Sequence, residues 1–579
     1  MESKTKQCQN CNIKFTIEPE DFEFYKKIDV PEPTFCPECR MKRRLIWRND
    51  INLYKRKCDF SGKEIFTIYH PNNGLKVYDL KIWNSDKWDP MEYGMDYDFN
   101  KPFFAQFKEL ISKMPWPNKF LDMDSVDCDY CPAIVFSKNC YLSVCNSCED
   151  CSYVIAGSCN NCLDSYMIIK NENCYENIDC GNSYNLFFSW NSDNCIDSAF
   201  LENCRNCQNC FGCVNLRNKK YHIFNKPYSK MDYQKEIKKY DLGDYNIIKE
   251  IKKKFNKFKL EFPYKFANLH NCYDVSGHHL KDVKNCHYCF YSFSTEKNKG
   301  SGAVEDCKFI VFAGSNTKDS YDCSDLGTTA ELIYEGVTVG LNTKQILFSV
   351  NISNSSYNIQ YSNNCQSSSN LFGCIGLRHK QYCILNKQYS KKEYEELVSK
   401  IKRHMDEMPY KDNKGNIYKY GEFFPMEFSP FAYNESMNQD YFPVTKKESV
   451  ECKYKWYNKF KTGYKSTIKS RDLPNHINEV NKNILKEVIE CGNIHSGCNG
   501  SGVFKIIPSE LRFYQKKKLA LPRLCPDCRY RARVKQRNPL KLWKRQCMKE
   551  GCSNEFQTTY APERKEIVYC ERCYNREVG

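Results

Sequence analysis

Asn139-Cys140-Tyr141, Asn161-Cys162-Leu163, Asn173-Cys174-Tyr175 and Asn194-Cys195-Ile196 repeat one short unit through the middle of the chain. Comparable cysteines recur from Cys140 to Cys162, from Cys174 to Cys195 and from Cys195 to Cys213. An irregular period near twenty matches one coil of a parallel β-solenoid, and the stretch predicts that fold. Stacked coils need small apolar side chains in a narrow interior, which Cys, Val and Ile supply. Asn suits the tight turns because it tolerates left-handed backbone. Cysteines in such an interior need bind no metal.

Working outward, residues 209–233 align without gaps on 370–394, with 15 of 25 positions identical, so the middle is doubled and both copies end in one cap. A helix follows each cap, from Ser229 to about Phe258 and from Ser390 to about Met405, with serine placed as N-cap. The second copy has fewer cysteines and uses apolar strands such as Phe309 to Gly314 and Gln345 to Val350 instead. That exchange marks most solenoid cysteines as packing residues. Cys204, Cys207, Cys210 and Cys213 form the most metal-like run there, since a coil with a period near twenty cannot turn all four inward.

The ends carry a second duplication. Residues 15–58 overlay 504–547 at a constant offset of 489, with 18 of 44 positions identical. In the first copy Cys8-x2-Cys11 and Cys36-x2-Cys39 make a four-thiolate set suited to tetrahedral zinc. The second copy offers Cys491, Cys498, Cys525 and Cys528, with His495 as a substitute for one cysteine. Cys547, Cys552, Cys570 and Cys573 add a further tetrathiolate ribbon. Its N-terminal equivalent keeps only Cys58, with Ser61, Asp79 and Ile82 opposite the other three cysteines. About three Zn2+ per chain are therefore expected. Gly277-His278-His279 and His287, near Cys272, Cys286 and Cys289, read as turn and packing residues before they read as a fourth site.

In their Cys-x2-Cys, Phe, Phe-Tyr, Cys-x2-Cys-Arg order both termini resemble the "probable zinc-binding domain" family of bacterial proteins. The layout of the whole chain is similar to large cysteine-rich conserved hypothetical proteins of candidate-phyla bacteria. The resemblance implies a zinc-ribbon or treble-clef-like fold and a bound metal, and it implies no activity.

The expected architecture is mainly β and multidomain. It comprises an N-terminal zinc-binding module with a degenerate second ribbon (1–118), a first solenoid and helical cap (119–264), a second solenoid and cap (265–405), an aromatic linker (406–485) and a C-terminal double zinc module (486–579). Thirty-seven cysteines, an odd number, with no apolar signal core near Met1, point to reduced thiols in the cytoplasm. No apolar run is long enough for a membrane helix.

The net charge of +16 is uneven: residues 500–579 hold 19 Lys+Arg against 8 Asp+Glu, whereas 121–215 hold 3 against 13. Arg40, Arg44 and Arg48, and their counterparts Arg529, Arg533 and Arg537, fall on one helical face. Such a stripe suits an RNA, DNA or nucleoprotein backbone, with Trp47, Trp543 or Tyr530 for stacking. The competing reading docks the arginines onto the acidic middle. No phosphate loop, His-Glu-x-x-His or nucleophile elbow occurs, so a non-enzymatic zinc scaffold binding nucleic acid is the leading expectation. Recognition of another protein through the solenoid face is the first alternative, and a thiol-rich metal-storage or redox protein the second.

Overall fold

The computed structural model describes residues 2–128, 130–293, 304–305, 317–318, 321, 323–324, 330–337, 342–350, 355–458, 463–498 and 500–579. The strand expected at Phe309 to Gly314 lies outside them. The described chain is sheet-rich, with many short strands arranged in several sheets.

Two long parallel stacks occupy the middle. In the first, Tyr184–Phe187, Ile196–Ala199, Gln208–Phe211 and Lys220–Ile223 pair in chain order and in constant register: Tyr184 faces Ile196, Ile196 faces Gln208 and Gln208 faces Lys220. Further parallel bridges at three-residue steps, Tyr166 to Ile178, Ile169 to Gly181, Glu172 to Tyr184 and Tyr175 to Phe187, define four ladders around each such advance. The second stack repeats the arrangement: Lys344 faces Tyr357, Tyr357 faces Ser369 and Ser369 faces Gln381. The spacing near twenty is thereby corrected. The chain mostly meets itself again after about four triplets, as where Val144 faces Ile155 and Lys344 faces Tyr357, with a longer step where Val283 faces Val304.

The true period is the triplet. Asn182, Asn185, Phe188, Asn191, Asn194, Asp197, Phe200, Asn203, Asn206 and Asn209 all have positive φ, one every third residue. This turns the residue after each corner inward. Asn and Asp dominate because their short polar side chains relieve the left-handed penalty. The corners also bond to one another along the stack, as in Asn203 to Asn215 (2.8 Å) and Asn206 to Asn218 (2.9 Å).

Every third residue therefore lines the interior, and Cys204, Cys207, Cys210 and Cys213 are all buried in one cluster with Leu186 and Leu201. The expectation that they could not all face inward fails because inward positions recur at every third residue and the parallel pairing advances by about twelve. The Cys204 thiol donates to the Glu202 carbonyl (3.6 Å) and lies 3.5 Å from the Cys213 carbonyl. Serines at equivalent positions accept a backbone N–H from the next coil: Ser192 from Cys204 (3.1 Å) and Ser198 from Cys210 (3.0 Å). Cys and Ser exchange freely here because each fits the interior and satisfies the backbone beside it. All described cysteines are free thiols.

Both stacks end alike. Lys220–Ile223 and Gln381–Ile384 fold back antiparallel on Lys226–Pro227 and Lys387–Gln388. Ser229 then caps Lys230–Glu236, and Ser390, in a capping box with Glu393, caps Lys391–Glu407. The first helix stops short of the expected span. Asp241-Leu242-Gly243-Asp244 interrupts it, and Asp244 starts a second helix, Tyr245–Phe258, by accepting from Asn246 and Ile247.

The terminal copies fold alike. Pro37–Leu45 and Pro526–Val534 occupy corresponding positions, and the hairpin Tyr54–Lys57 with Glu64–Thr67 matches Trp543–Gln546 with Glu555–Thr558. Their attachment is crossed. In the N-terminal copy Lys76–Tyr78 pairs in parallel with Pro115–Pro117, the entry to the first stack; in the C-terminal copy Ile567–Tyr569 pairs with Pro263–Lys265, the entry to the second. Each copy nevertheless packs its helices on the opposite stack. Phe24 stacks on Tyr321 of the second at 4.6 Å, and Tyr514 meets Tyr175 of the first edge-on at 5.7 Å. Gly373 is required at one such seam, where a Cβ would fall 2.9 Å from the Phe103 ring. Phe423 and Phe424, from the aromatic stretch 406–485, are buried in this same core with Trp47 and Phe104.

Candidate metal centres

Each knuckle is built from a turn and a helix start. Cys36, Cys525 and Cys570 are the N-cap residues of Pro37–Leu45, Pro526–Val534 and Glu571–Val578, and proline fills the first helical position of the first two. Proline costs nothing there, because that N–H has no helical partner. The partial positive charge of the helix start favours thiolate over thiol.

The sulfur geometry is the decisive observation. Cys8, Cys11, Cys36 and Cys39 converge, as do Cys491, Cys498, Cys525 and Cys528, and Cys547, Cys552, Cys570 and Cys573; within each group the sulfurs all lie within 4.8 Å of one another. A tetrahedron with metal–sulfur bonds of about 2.3 Å has edges of about 3.8 Å. The Cys11–Cys36 separation is 3.6 Å, Cys491–Cys528 and Cys498–Cys528 are 3.7 Å, Cys498–Cys525 is 3.6 Å and Cys552–Cys570 is 3.9 Å. Four sulfurs at that spacing fit one metal ion and leave no position for another ligand.

Backbone and side-chain N–H groups donate to the sulfurs, an arrangement that suits thiolates. The Cys525 N–H donates to Cys491 Sγ and the Cys570 N–H to Cys547 Sγ, each at 3.3 Å, and Asn10 Nδ2 donates to Cys39 Sγ at 3.2 Å. Hydrogen bonds from Cys36 and then Cys39 hold the Cys8 thiol far below its ordinary range. The Asn554 backbone N–H is the main cause of the fall of Cys552 to about 7. A Cβ on Gly500 would press on the Asp527 carboxylate and fall 2.9 Å from Cys525 Sγ, so a side chain there would crowd the knuckle.

The chain thus brings together all twelve cysteines expected as ligands. His495 is exposed in its turn and stands outside the group. The degenerate ribbon keeps one trace of its origin: Asp79 N–H donates to Cys58 Sγ at 3.3 Å, as Cys570 does to Cys547, but the Asp79 carboxylate caps its own helix at Lys81 N–H. His278 is buried and His279 half-buried, His279 stacking on Tyr291 at 4.8 Å and facing Asp179 at 3.3 Å. They join no metal-competent group among the described residues.

The arginine stripes need correction. Arg40, Arg44, Arg48, Arg529 and Arg533 are buried and cannot follow a nucleic-acid backbone. Arg529 and Arg533 grip the two oxygens of Asp164 on the first stack, at 2.8 and 3.0 Å. Arg40 (3.8 Å) and Arg43 (2.8 Å) reach Glu335 on the second, and Arg43 also pairs with Glu422 at 2.8 Å. Arg48 is held by both oxygens of Asp50 at 3.0 Å. Arg44 is so enclosed that burial lowers its guanidinium to about 9. Arg537 lies over the rings of Tyr166 and Tyr441 at 4.3 and 4.4 Å and donates to both hydroxyls. Trp47 and Tyr530 are buried as well. The C-terminal arginines dock onto the acidic middle at Asp164, whereas Arg40 and Arg43 meet Glu335 and Glu422 outside it. Sequence reasoning missed Asp164, Glu335 and Glu422, because nothing local distinguishes them from other carboxylates.

No family model and no curated protein matches the chain. Among solved structures, one from Desulfovibrio desulfuricans G20 named as an acetyltransferase is 10% identical over 52% of this chain and 86% of its own, with a TM-score of 0.10. That likeness carries no argument about fold or activity. Among the described residues no helix is long and apolar enough to cross a membrane.

Proposed function

We propose that the chain is a non-enzymatic zinc scaffold in which three structural metal sites lock the two ends onto a pair of β-solenoid modules. In this reading each solenoid coil has four sides of one triplet each, and the helices Lys230–Glu236 and Lys391–Glu407 close the stacks. Soft thiolate donors and tetrahedral spacing favour Zn2+, with no open position for catalysis. One observation carries the proposal. The residue after each second knuckle, Arg40 or Arg529, enters a buried cation cluster that meets a carboxylate of the opposite stack, Glu335 or Asp164. The metal sets the knuckle, the knuckle starts the helix, and the helix aims the guanidinium.

Metal withdrawal tests this. Chelation of the full chain under reducing conditions is expected to expose Pro37–Leu45 and Pro526–Val534 to proteolysis while 130–227 stays resistant. Ten or more metals per chain would instead indicate storage, and unchanged protection after complete metal loss would refute the structural role. A second reading, recognition of another protein through the solenoid face, is favoured by the exposed Tyr357, with Tyr184 and Ile196 in the corresponding row of the first stack. Binding by a chain in which all three are replaced by Ser would remove that reading.

A further inference from the structure

The buried arginines move the question of charge elsewhere, because a chain of net charge +16 whose arginine stripes face inward must carry its excess on other surfaces. Residues 217–260, the cap of the first stack, contain 14 Lys+Arg against 5 Asp+Glu. Four of those five carboxylates are engaged locally. Asp232 accepts from Ser229, Glu236 pairs with Lys239 at 2.7 Å, Asp241 meets His476 at 3.0 Å and Asp244 caps its helix.

The lysines divide by helical face. Lys252 and Lys259 turn toward the stack and pair with Glu176 (2.5 Å) and Glu202 (3.5 Å), anchoring Tyr245–Phe258. Lys249, Lys253 and Lys257 are exposed and form no ion pair among the described residues. Their four-residue spacing sets a cation about every 6 Å along the helix. The surface is continuous with the hairpin tip: Lys254 lies over Phe224 at 4.1 Å, and Phe224 packs on Phe258 at 5.3 Å and Tyr240 at 6.0 Å. Lys220 and Lys226 flank that tip, both exposed.

We propose that this lysine face of the first cap, and not the arginine stripes, binds the phosphate backbone of a nucleic acid without sequence preference. Lysine ammonium groups are point charges that neutralise phosphates, and no planar bidentate set is presented to read base edges. The inference goes beyond the zinc-scaffold reading and does not depend on which metal fills the knuckles.

The test uses the full, metal-loaded chain and a fluorescent 30-nucleotide single-stranded RNA of mixed sequence. Six phosphate contacts would give a log–log salt slope of about −4, so binding should weaken about 300-fold between 50 and 200 mM salt. Replacing Lys249, Lys253 and Lys257 by Gln should reduce the slope by about 2 units. Replacing the exposed Lys26, Lys63 and Lys76 by Gln should leave it unchanged. Metal content and circular dichroism of each variant, measured in parallel, separate loss of the surface from loss of the fold. Absence of binding at 50 mM salt, an unchanged slope in the first variant, or equally tight capture of poly-glutamate or of anionic lipid vesicles would each overturn the assignment.

Discussion

Replacing Asp164 by Asn should release the C-terminal module from the first stack while leaving the N-terminal one in place. Asp164 is fully buried and holds Arg529 at 2.8 Å and Arg533 at 3.0 Å. Arg529 would retain Glu510 at 3.2 Å and the Tyr514 hydroxyl at 2.9 Å, whereas Arg533 would lose its carboxylate partner. Breaking a buried pair from one side costs about 3–5 kcal/mol, because the remaining charge stays desolvated. At about 1.4 kcal/mol per decade, the open population of Pro526–Val534 should rise by roughly two to four decades. Native-state hydrogen exchange of those amides, followed by mass spectrometry, measures this segment by segment. That suits a chain of several units for which a single unfolding midpoint is ill-defined. Arg533→Met should cost less, since Asp164 then keeps Arg529, and the double variant should couple by about 1–3 kcal/mol. A rise in exchange below threefold over 526–534, or an equal rise over Pro37–Leu45, would refute the docking argument.

Four other outcomes follow from the same geometry. Cys36→Ser and Cys528→Ser should each lower the metal content by one ion, whereas Cys58→Ser and His495→Ala should leave it at three, as read by inductively coupled plasma mass spectrometry. In the stack interior, Cys204→Ser should cost under about 1 kcal/mol and leave the metal count unchanged, while Cys204→Leu should cost about 1–3 kcal/mol by overpacking, measured by thermal unfolding. Burial raises the carboxyls of Glu435 and Asp179 to about 7. Between the ordinary carboxyl range and pH 7 the folded state thus binds more protons, so their contribution to stability should fall as pH rises through that window; Glu435→Gln should flatten the fall in denaturant titrations. Glu335→Gln should mirror the Asp164 variant by loosening Pro37–Leu45 and sparing Pro526–Val534.

The three four-cysteine groups were legible in the sequence. Cys-x2-Cys turns set the sulfurs by local geometry, and the constant offset between the terminal copies maps Pro37–Leu45 onto Pro526–Val534 without displacement. The serine caps were readable for the same reason, since Ser229 and Ser390 act on residues three positions away. Coil length was not readable from cysteine spacing. Inward positions recur every third residue and accept Cys, Ser, Asn, Leu or Ile, so the gaps between cysteines record which of these occurs and not where one strand pairs with the next. The arginine stripes misled for a different reason. A helical face of arginines has the same sequence pattern whether it meets solvent or a buried carboxylate. Asp164 and Arg529, like Arg43 and Glu335, belong to different modules of the chain, and no local pattern connects them.

The central claim, that three closed thiolate sites clamp the ends of the chain, is tested most directly by zinc K-edge absorption on the full protein with its metal content measured on the same sample. The account predicts three zinc ions per chain, each with four sulfur neighbours at about 2.3 Å and no nitrogen or oxygen in the first shell. Fewer than three ions, or a first shell containing nitrogen or oxygen, would contradict it.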